Sequence, residues 1–383
     1  MSARLPVAYS DGTHRTATPE HTLQRIMPLL PAMGITRVAD ITGLDRLGIP
    51  TWCAVRPSAR TIQIANGKGL SHISAKVSAV MESIEHWHTE FPEGPFRSAS
   101  AAELRREGQG FVPAPELPRW RAELHLTDQR AVDWVLGEEL PQCKPVWLPA
   151  SAAFYTEPML LTYDTNGLAS GNHIVEATLH ALYELIERDA IARLTRGGLF
   201  LPRGESRVVD LDTLPPGPVT VLRDRLRKAE VSLTLVRVES LAPVCTFWAV
   251  LVDPASSFAC SYVNIGHGSH LSPTVAALRA ITEAAQSRLT FIHGSREDLK
   301  RDAYEFTGAH QRLRSFFDGQ RGELAWDATV DRSSGDLCQD LETVLEGLCA
   351  AGYSRIYRVD MTNSRLGIPV VKVVVPGLAR MNY

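Results

Sequence analysis

Three stretches of this 383-residue chain repeat one arrangement of polar side chains, at positions i, i+4 and i+7. The first is Ser78, Glu82, Glu85. The second is His180, Glu184, Glu187, with Asn172 and Glu176 ahead of it at the same four-residue step. The third is Arg279, Glu283, Gln286. On an α-helix such positions share one face. Stacked carboxylates repel one another, and on a solvated surface water and salt screen that repulsion. A single helix of this kind is therefore explained equally well as a wet polar face. Three such faces aimed at one place are different, because converging carboxylates require a cation. Oxygen ligands from Glu, Asn and Ser suit the hard cation Mg²⁺, which binds through a few carboxylates together with substrate phosphates. The chemistry these residues could do is to hold Mg²⁺ against a phosphate.

The elements that must position them also repeat. Each triple follows a short apolar run and an Asn near a Gly-containing turn. The first unit runs from Thr61 through Asn66-Gly67-Lys68-Gly69 into a helix over 70–90. The second runs from Leu160 through Asn166-Gly167 and Gly171 into a helix over 172–193. The third runs from Phe258 through Asn264 and Gly266-His267-Gly268 into a helix over 274–289. The spacing of roughly a hundred residues is far longer than solenoid repeats. The expected fold class is α/β, built from three related strand–turn–helix units with converging helices. Apolar stripes on other faces of these helices supply the packing: Ile73, Val77, Val80, Met81, Ile84 and Trp87 on the first, Ile174, Ala181, Leu182 and Leu185 on the second.

The turns are expected to present backbone N–H groups just before a helix, as an anion cradle does. Lys68 adds a cation there, although Gly67-Lys68-Gly69 lacks the P-loop spacing and a plain turn explains it as well. Arg288 and Arg296 flank the end of the third helix and are candidate phosphate contacts. Surface solvation is the alternative for both and is favoured for Arg296. His180 shares the carboxylate face and is a candidate general base, with a structural role as the alternative. His86 and His88, two apart, point to different helix faces and make a poor metal pair.

The bulk composition is that of an ordinary globular protein, 44% hydrophobic and 22% charged. A net charge of -3 gives no basic footprint, so nucleic acid is not an expected partner. Six cysteines without a C-x-x-C pair argue against structural zinc or a disulfide framework and suit a reducing, cytoplasmic setting. No signal peptide or membrane span is expected; the apolar run 369–376 reads as a buried strand. Residues 19–30 read as a short helix ended or kinked by Pro28 and Pro31. Strands are expected over 37–41, 52–56, 61–64, 233–238 and 247–252, and surface connections over 92–119 and 200–217. Residues 296–348 read as polar, helix-prone scaffold without chemistry.

Taken together, Asn66-Gly-Lys-Gly-Leu through Ser78, Glu82 and Glu85, then Thr165-Asn-Gly-Leu-Ala-Ser-Gly-Asn172 through Glu184-Leu-Ile-Glu187-Arg188-Asp189, then Glu283-Ala-Ala-Gln286-Ser-Arg288, resemble the YcaO-domain family from about residue 60 onward. The resemblance implies a compact YcaO-type fold, with residues 1–60 packing on a catalytic domain over 61–383, and ATP and Mg²⁺ as cofactors. By resemblance Ser78, Glu82, Glu85, Asn172, Glu176, Glu184 and Glu187 bind ATP and magnesium, with Glu82, Glu85, Glu176, Glu184 and Glu187 on the metal. Glu283, Gln286 and, from an early basic position, Arg15 match less closely.

The implied chemistry is phosphorylation of a peptide amide oxygen after a nucleophile adds to the carbonyl. It gives a thioamide if the nucleophile is sulfide and an azoline if it is a substrate side chain. The azoline-forming relatives tend to end in a proline-rich tail. Here Val375-Pro376-Gly-Leu-Ala-Arg-Met-Asn-Tyr383 has one proline. The head, Asp11-Gly-Thr-His-Arg15 and 43–50, and the segment 367–378 resemble the branch that works with a TfuA-like partner and forms thioamides. A peptide or protein substrate, a TfuA-like protein with a sulfur donor, and a homodimer are therefore expected, and no added leader-binding domain is evident. A leader-binding scaffold without catalysis is the competing class, against which the intact Glu82, Glu85, Glu184 and Glu187 count.

Overall fold

The computed structural model describes residues 4–195, 206–241, 243–256, 262–299, 301–305, 317 and 322–379. The chain opens on α1 (Pro19–Ile26). Thr18 caps it by accepting from the His21 N–H, and Pro19 occupies the first turn, where a missing N–H costs nothing. Pro28 and Pro31 then carry the chain on as a 3₁₀ turn to Met33. β1 (Arg37–Asp40), β2 (Thr51–Val55) and β3 (Ile64–Lys68) form an antiparallel three-stranded sheet. On it lies α2 (His72–Glu90), capped by the Ser71 hydroxyl. The expected boundary at residue 60 thus falls inside one sheet, between β2 and β3.

A second sheet contains β4 (Phe96–Ala99), β5 (Val132–Leu140), β6 (Lys144–Pro149), β7 (Leu168–Ser170), β12 (Ile356–Asp360) and β13 (Val370–Val374), in the order β4-β5-β12-β13-β7 with β6 on the other side of β5. Between β4 and β5 runs the short α3 (Ala101–Arg106), closed by a reciprocal cap between Ser100 and Glu103. α4 (Ile174–Leu194) packs on β7 and β13.

The third sheet is β8 (Arg207–Val208), β9 (Ser232–Val238), β10 (Cys245–Val252) and β11 (Val263–His270), in the order β11-β10-β9-β8. α5 (Pro218–Lys228) and α6 (Pro273–His293) pack on it, and α7 (Leu337–Ala350) packs on α4. Among the described residues four apolar cores fill these layers. One holds Val80, Ile84, Trp134 and Phe154, another Phe247, Leu235, Ala276 and Ala280, the third Leu182, Ile186, Val371 and Leu348, and the fourth Ile191, Val236, Trp248 and Val250.

Two expected turns are strands. Asn66-Gly67-Lys68 belongs to β3, and Asn264 through Gly268 belongs to β11. Their glycines serve close packing. A Cβ on Gly67 would lie 1.9 Å from the Ala79 backbone nitrogen of α2, and one on Gly266 would lie 2.2 Å from that of Ala284 on α6. Only the second unit keeps a true turn, where Gly167 sits at φ 79. Residues 92–119 carry β4 and α3 rather than a bare connection. Part of the expected run at 258–261, the connection at 200–205, and residues 300, 306–316 and 318–321 of the scaffold stretch lie outside the described residues.

Candidate active site

Each unit sends one helix face to a common cavity of about 560 Å³. α2 contributes Ser78, Glu82 and Glu85. α4 contributes Glu176, His180, Glu184 and Glu187, with Asn172 just ahead of it. α6 contributes Arg279, Glu283 and Gln286. Lys68 of β3 and Arg15 of the N-terminal loop complete the set. The expected site residues therefore meet, with the exception of Arg288.

β7, the residue before it, and β11 supply backbone donors to the helix carboxylates. The Ser170 N–H and hydroxyl donate to Glu85 at 2.7 and 2.6 Å. The Gly167 N–H donates to Glu184 at 3.3 Å, and the His267 N–H to Glu283 at 3.3 Å. Gln286 donates to the Asn66 carbonyl at 2.5 Å. Lys68 Nζ lies 2.7 Å from Glu283 Oε2.

Glu176 is occupied differently. Its two oxygens accept from the Thr16 N–H and hydroxyl, both at 2.8 Å, from Arg15 at 3.2 Å and from the Asn172 N–H at 3.1 Å. The Thr22 hydroxyl donates to the Asn172 side chain at 2.9 Å. Residues 15–22 are thereby tied across the start of α4 and form one wall of the cavity.

The electrostatics are unbalanced. Withdrawal from water, reinforced by neighbouring carboxylates and only partly offset by Arg296, Lys68 or Arg188, pushes Glu82 up to about 7 and Glu184 to about 7. Glu85 is pushed to about 8 by the same withdrawal, against the Ser170 hydrogen bonds and with Glu82 and Glu184 adding to it. Burial would raise Glu283 as well, but Lys68 and His267 outweigh it and hold that carboxyl well below its ordinary value. His180 is kept neutral by burial and by Arg279 and Arg15, whose guanidinium nitrogens sit 3.0 Å from Nε2 and 3.4 Å from Nδ1. An imidazole between two guanidinium groups is a poor proton acceptor, and its one unprotonated ring nitrogen can orient one of the two arginines.

This donor set fits ATP and magnesium. Three carboxylates in one cavity prefer protons, so a divalent cation among them would relieve the repulsion. Arg15, Lys68, Arg188, Arg279 and Arg296 line the same cavity and are cations suited to a polyphosphate.

Arg288 is placed elsewhere. It is buried, with Nε 2.9 Å from Asp45 and Nη2 3.0 Å from Asp253, and it does not line the cavity. The reverse holds for Arg296, read as a surface residue in a stretch without chemistry. It lines the cavity, with Nε donating to Asp298 at 2.9 Å. Arg188 and Arg279 had no assigned role in the sequence; the signal was there for Arg279, the first member of the third triple. His86 also lines the cavity, bonded to the Thr61 hydroxyl at 3.1 Å and held neutral by burial, near 4.

Comparison with known proteins supplies the remaining observation. A family model described as "YcaO cyclodehydratase, ATP- and Mg2+-binding" matches residues 66–379. The chain belongs to the YcaO family. Its cofactors are accordingly ATP and Mg²⁺, and the family is one of ATP-dependent, cyclodehydratase-type peptide-modifying enzymes. An uncharacterized protein of Methanothermobacter thermautotrophicus is 35% identical, with 94% of each chain covered. An uncharacterized protein in the tfuA 3' region of Rhizobium leguminosarum bv. trifolii is 32% identical, over 98% of this chain and 91% of the other. Among solved structures, YcaO from Methanopyrus kandleri bound with AMPPCP and Mg²⁺ superposes with a TM-score of 0.77 at 26% identity, covering 98% of this chain and 94% of that one. A heterocyclase in complex with substrate and cofactor superposes at 0.80 with 24% identity, covering 99% of this chain and 54% of the other, and shows the shared fold. Among the described residues no helix is long and apolar enough to cross a membrane.

Proposed function

We propose that this chain uses Mg·ATP to convert a backbone amide of a ribosomally made peptide or protein into a thioamide. The observation that carries the ATP reading is the meeting of three carboxylate faces with five cationic side chains in one cavity. The thioamide reading is supported by a relative, matched over 91% of its length, whose name places it beside tfuA.

ATP supplies a phosphoryl group that turns the amide oxygen, after sulfide has added to the carbonyl, into a leaving group, and Mg²⁺ neutralises the charge on that phosphoryl as it moves. The balance is amide, hydrosulfide and ATP giving thioamide, ADP and phosphate. Glu82, Glu85, Glu184 and Glu187 are assigned to metal, and Ser78, Lys68, Gln286 and Glu283 to positioning the nucleotide and its counter-ions. Glu176, with both oxygens already accepting hydrogen bonds, is assigned with Asn172 to holding Arg15 over the cavity. Arg15, Arg188, Arg279 and Arg296 face the phosphates. His180 stands between Arg15 and Arg279 and orients one of them, and no residue is assigned as general base. A TfuA-like protein is the expected route for sulfur, and a homodimer the expected assembly.

The test compares peptide and protein masses in cells that carry the chain with cells that carry Glu184→Gln. A product that gains sulfur in place of oxygen, and only with the unaltered chain, supports the proposal. Loss of water instead would move the reaction to azoline formation. No difference, with both proteins folded and abundant, would sink the enzymatic reading.

A further inference from the structure

The metal chemistry expected so far is all oxygen. One cluster at the edge of the cavity departs from that, joining two lining carboxylates to a histidine outside the lining. Glu187 of α4, Glu283 of α6 and His267 of β11 place one ligand atom each within 4.8 Å of one another. Glu187 and His267 are buried, with 3% and 5% of their surfaces exposed. The strand geometry explains why a histidine reaches this place. Gly266 and Gly268 face α6, where a Cβ on either would fall within 2.2 Å of helix backbone. His267 lies between them, so its side chain projects to the other face of β11, toward α4. β11 ends the order of its sheet among the described residues, which lets Glu283 reach round from α6. Glu283 Oε1 accepts from the His267 N–H and lies 3.6 Å from His267 Nδ1. The other oxygen, Oε2, is taken by Lys68 at 2.7 Å. Glu187 has Arg188 at 3.9 Å.

We propose that Glu187, Glu283 and His267 form a mixed nitrogen–oxygen site for a first-row transition-metal dication, of the Mn²⁺ or Co²⁺ kind, distinct in preference from the oxygen-only carboxylates Glu82, Glu85 and Glu184. A cation among the three ligand atoms reaches metal–ligand lengths of about 2.0–2.2 Å after small side-chain movements. Mg²⁺ is poorly served by imidazole, whereas Mn²⁺ and Co²⁺ accept it, so one nitrogen ligand changes which metal the cluster selects. Lys68 and Arg188 are the resident cations there. Lys68 holds the carboxylate oxygen that the metal does not need, so binding requires no loss of that ion pair. The proposal shares two carboxylates with the Mg·ATP reading and rests on it only to that extent.

The experiment uses the full chain, stripped of metal, without nucleotide. Mn²⁺ binding is followed by the loss of the free-ion electron paramagnetic resonance signal, with Mg²⁺ as competitor, for the unaltered chain and for His267→Gln. Mn²⁺ is expected to bind at least about tenfold more tightly than Mg²⁺, and the variant to lose at least about tenfold of its Mn²⁺ affinity with Mg²⁺ affinity little changed. Equal Mn²⁺ affinity in both proteins, or no preference for Mn²⁺ in the unaltered chain, overturns the proposal. Should the variant not fold, spin-echo modulation from an imidazole nitrogen on Mn²⁺ in the unaltered chain decides the matter: its presence supports ligation by His267 and its absence overturns it. A parallel titration with a non-hydrolysable Mg·ATP analogue separates the two readings. If the analogue binds and the Mn²⁺ preference is missing, the mixed site alone fails; if the preference is present and the analogue does not bind, the nucleotide reading fails instead.

Discussion

Binding of Mg·nucleotide to this cavity should expel protons at neutral pH, and the number can be worked out. With Glu82 and Glu184 at about 7, half of each carries a proton at pH 7 in the free protein. With Glu85 at about 8, about nine-tenths of it is protonated. The three groups repel one another and titrate together, so the total belongs to the set, and it comes close to two protons. A dication lodged among them requires the ionised forms, so those protons leave on binding. The assay is calorimetric titration of a non-hydrolysable Mg·ATP analogue in several buffers of different ionisation enthalpy. The slope of observed heat against that enthalpy counts the protons. It should be about two at pH 7 and near zero by about pH 9, and apparent affinity should rise about tenfold per pH unit for each proton released. Glu85→Gln should lower the release at pH 7 by about one proton, because that residue is the most protonated of the three. A slope of zero at pH 7, with binding intact, would show that the carboxylates are already ionised and that the cavity does not hold them short of cations.

Two further outcomes follow from the same geometry. A carboxyl raised from 4.5 toward 7 or 8 means that the folded chain retains protons the unfolded chain has lost. Stability of the ligand-free protein should therefore fall as pH rises through that window. Its melting temperature should be lower at about pH 8.5 than at about pH 6, with the gap narrowed by Mg·nucleotide, and a flat profile would contradict the shifts. Arg288→Met should destabilise the fold by about 3 kcal/mol, measured by denaturant unfolding, because it takes the guanidinium from the buried Asp45 side chain, while Asp253 keeps Arg46 on both oxygens. Nucleotide affinity of the folded variant should be unchanged, and its loss would return Arg288 to the phosphate contacts.

What the sequence could convey depended on periodicity. The triples at 78, 82, 85 and at 180, 184, 187 were legible because a helix fixes which side chains share a face, and the structure turns both faces into one cavity. The same rule should have set Arg288 aside. It lies five residues beyond Glu283, well round the helix from the face that Arg279, Glu283 and Gln286 share. Arg296 follows the end of α6 on a loop, where no period says which way a side chain turns. His267 gave no signal for a related reason: one histidine between two glycines reads as turn chemistry. The pairing of β12 with β5, across more than two hundred residues, is a tertiary choice that local pattern does not encode.

The misread turns lead to the sharpest structural test. Asn and Gly are poor strand formers and good turn formers, so Asn66-Gly67 and the segment Asn264 to Gly268 look like loops by propensity alone. They are strands because two helices lie so close that a side chain would not fit. On Gly266 a Cβ would stand 2.2 Å from the Ala284 nitrogen and 2.3 Å from the Ala280 carbonyl oxygen, both backbone atoms that no rotamer change can move. Gly266→Ala must therefore push α6 off β11, and α6 carries Arg279, Glu283 and Gln286 into the cavity. The cost should reach about 3 kcal/mol or more, at the upper end of core overpacking. Nucleotide affinity should fall with it even where the variant stays folded. Gly43→Ala is the control, since nothing lies within 4 Å of a Cβ there, and it should leave both quantities nearly unchanged. If Gly266→Ala were as stable and as tight a binder as this control, contact between strand and helix backbone would not be what brings the third carboxylate face to the site.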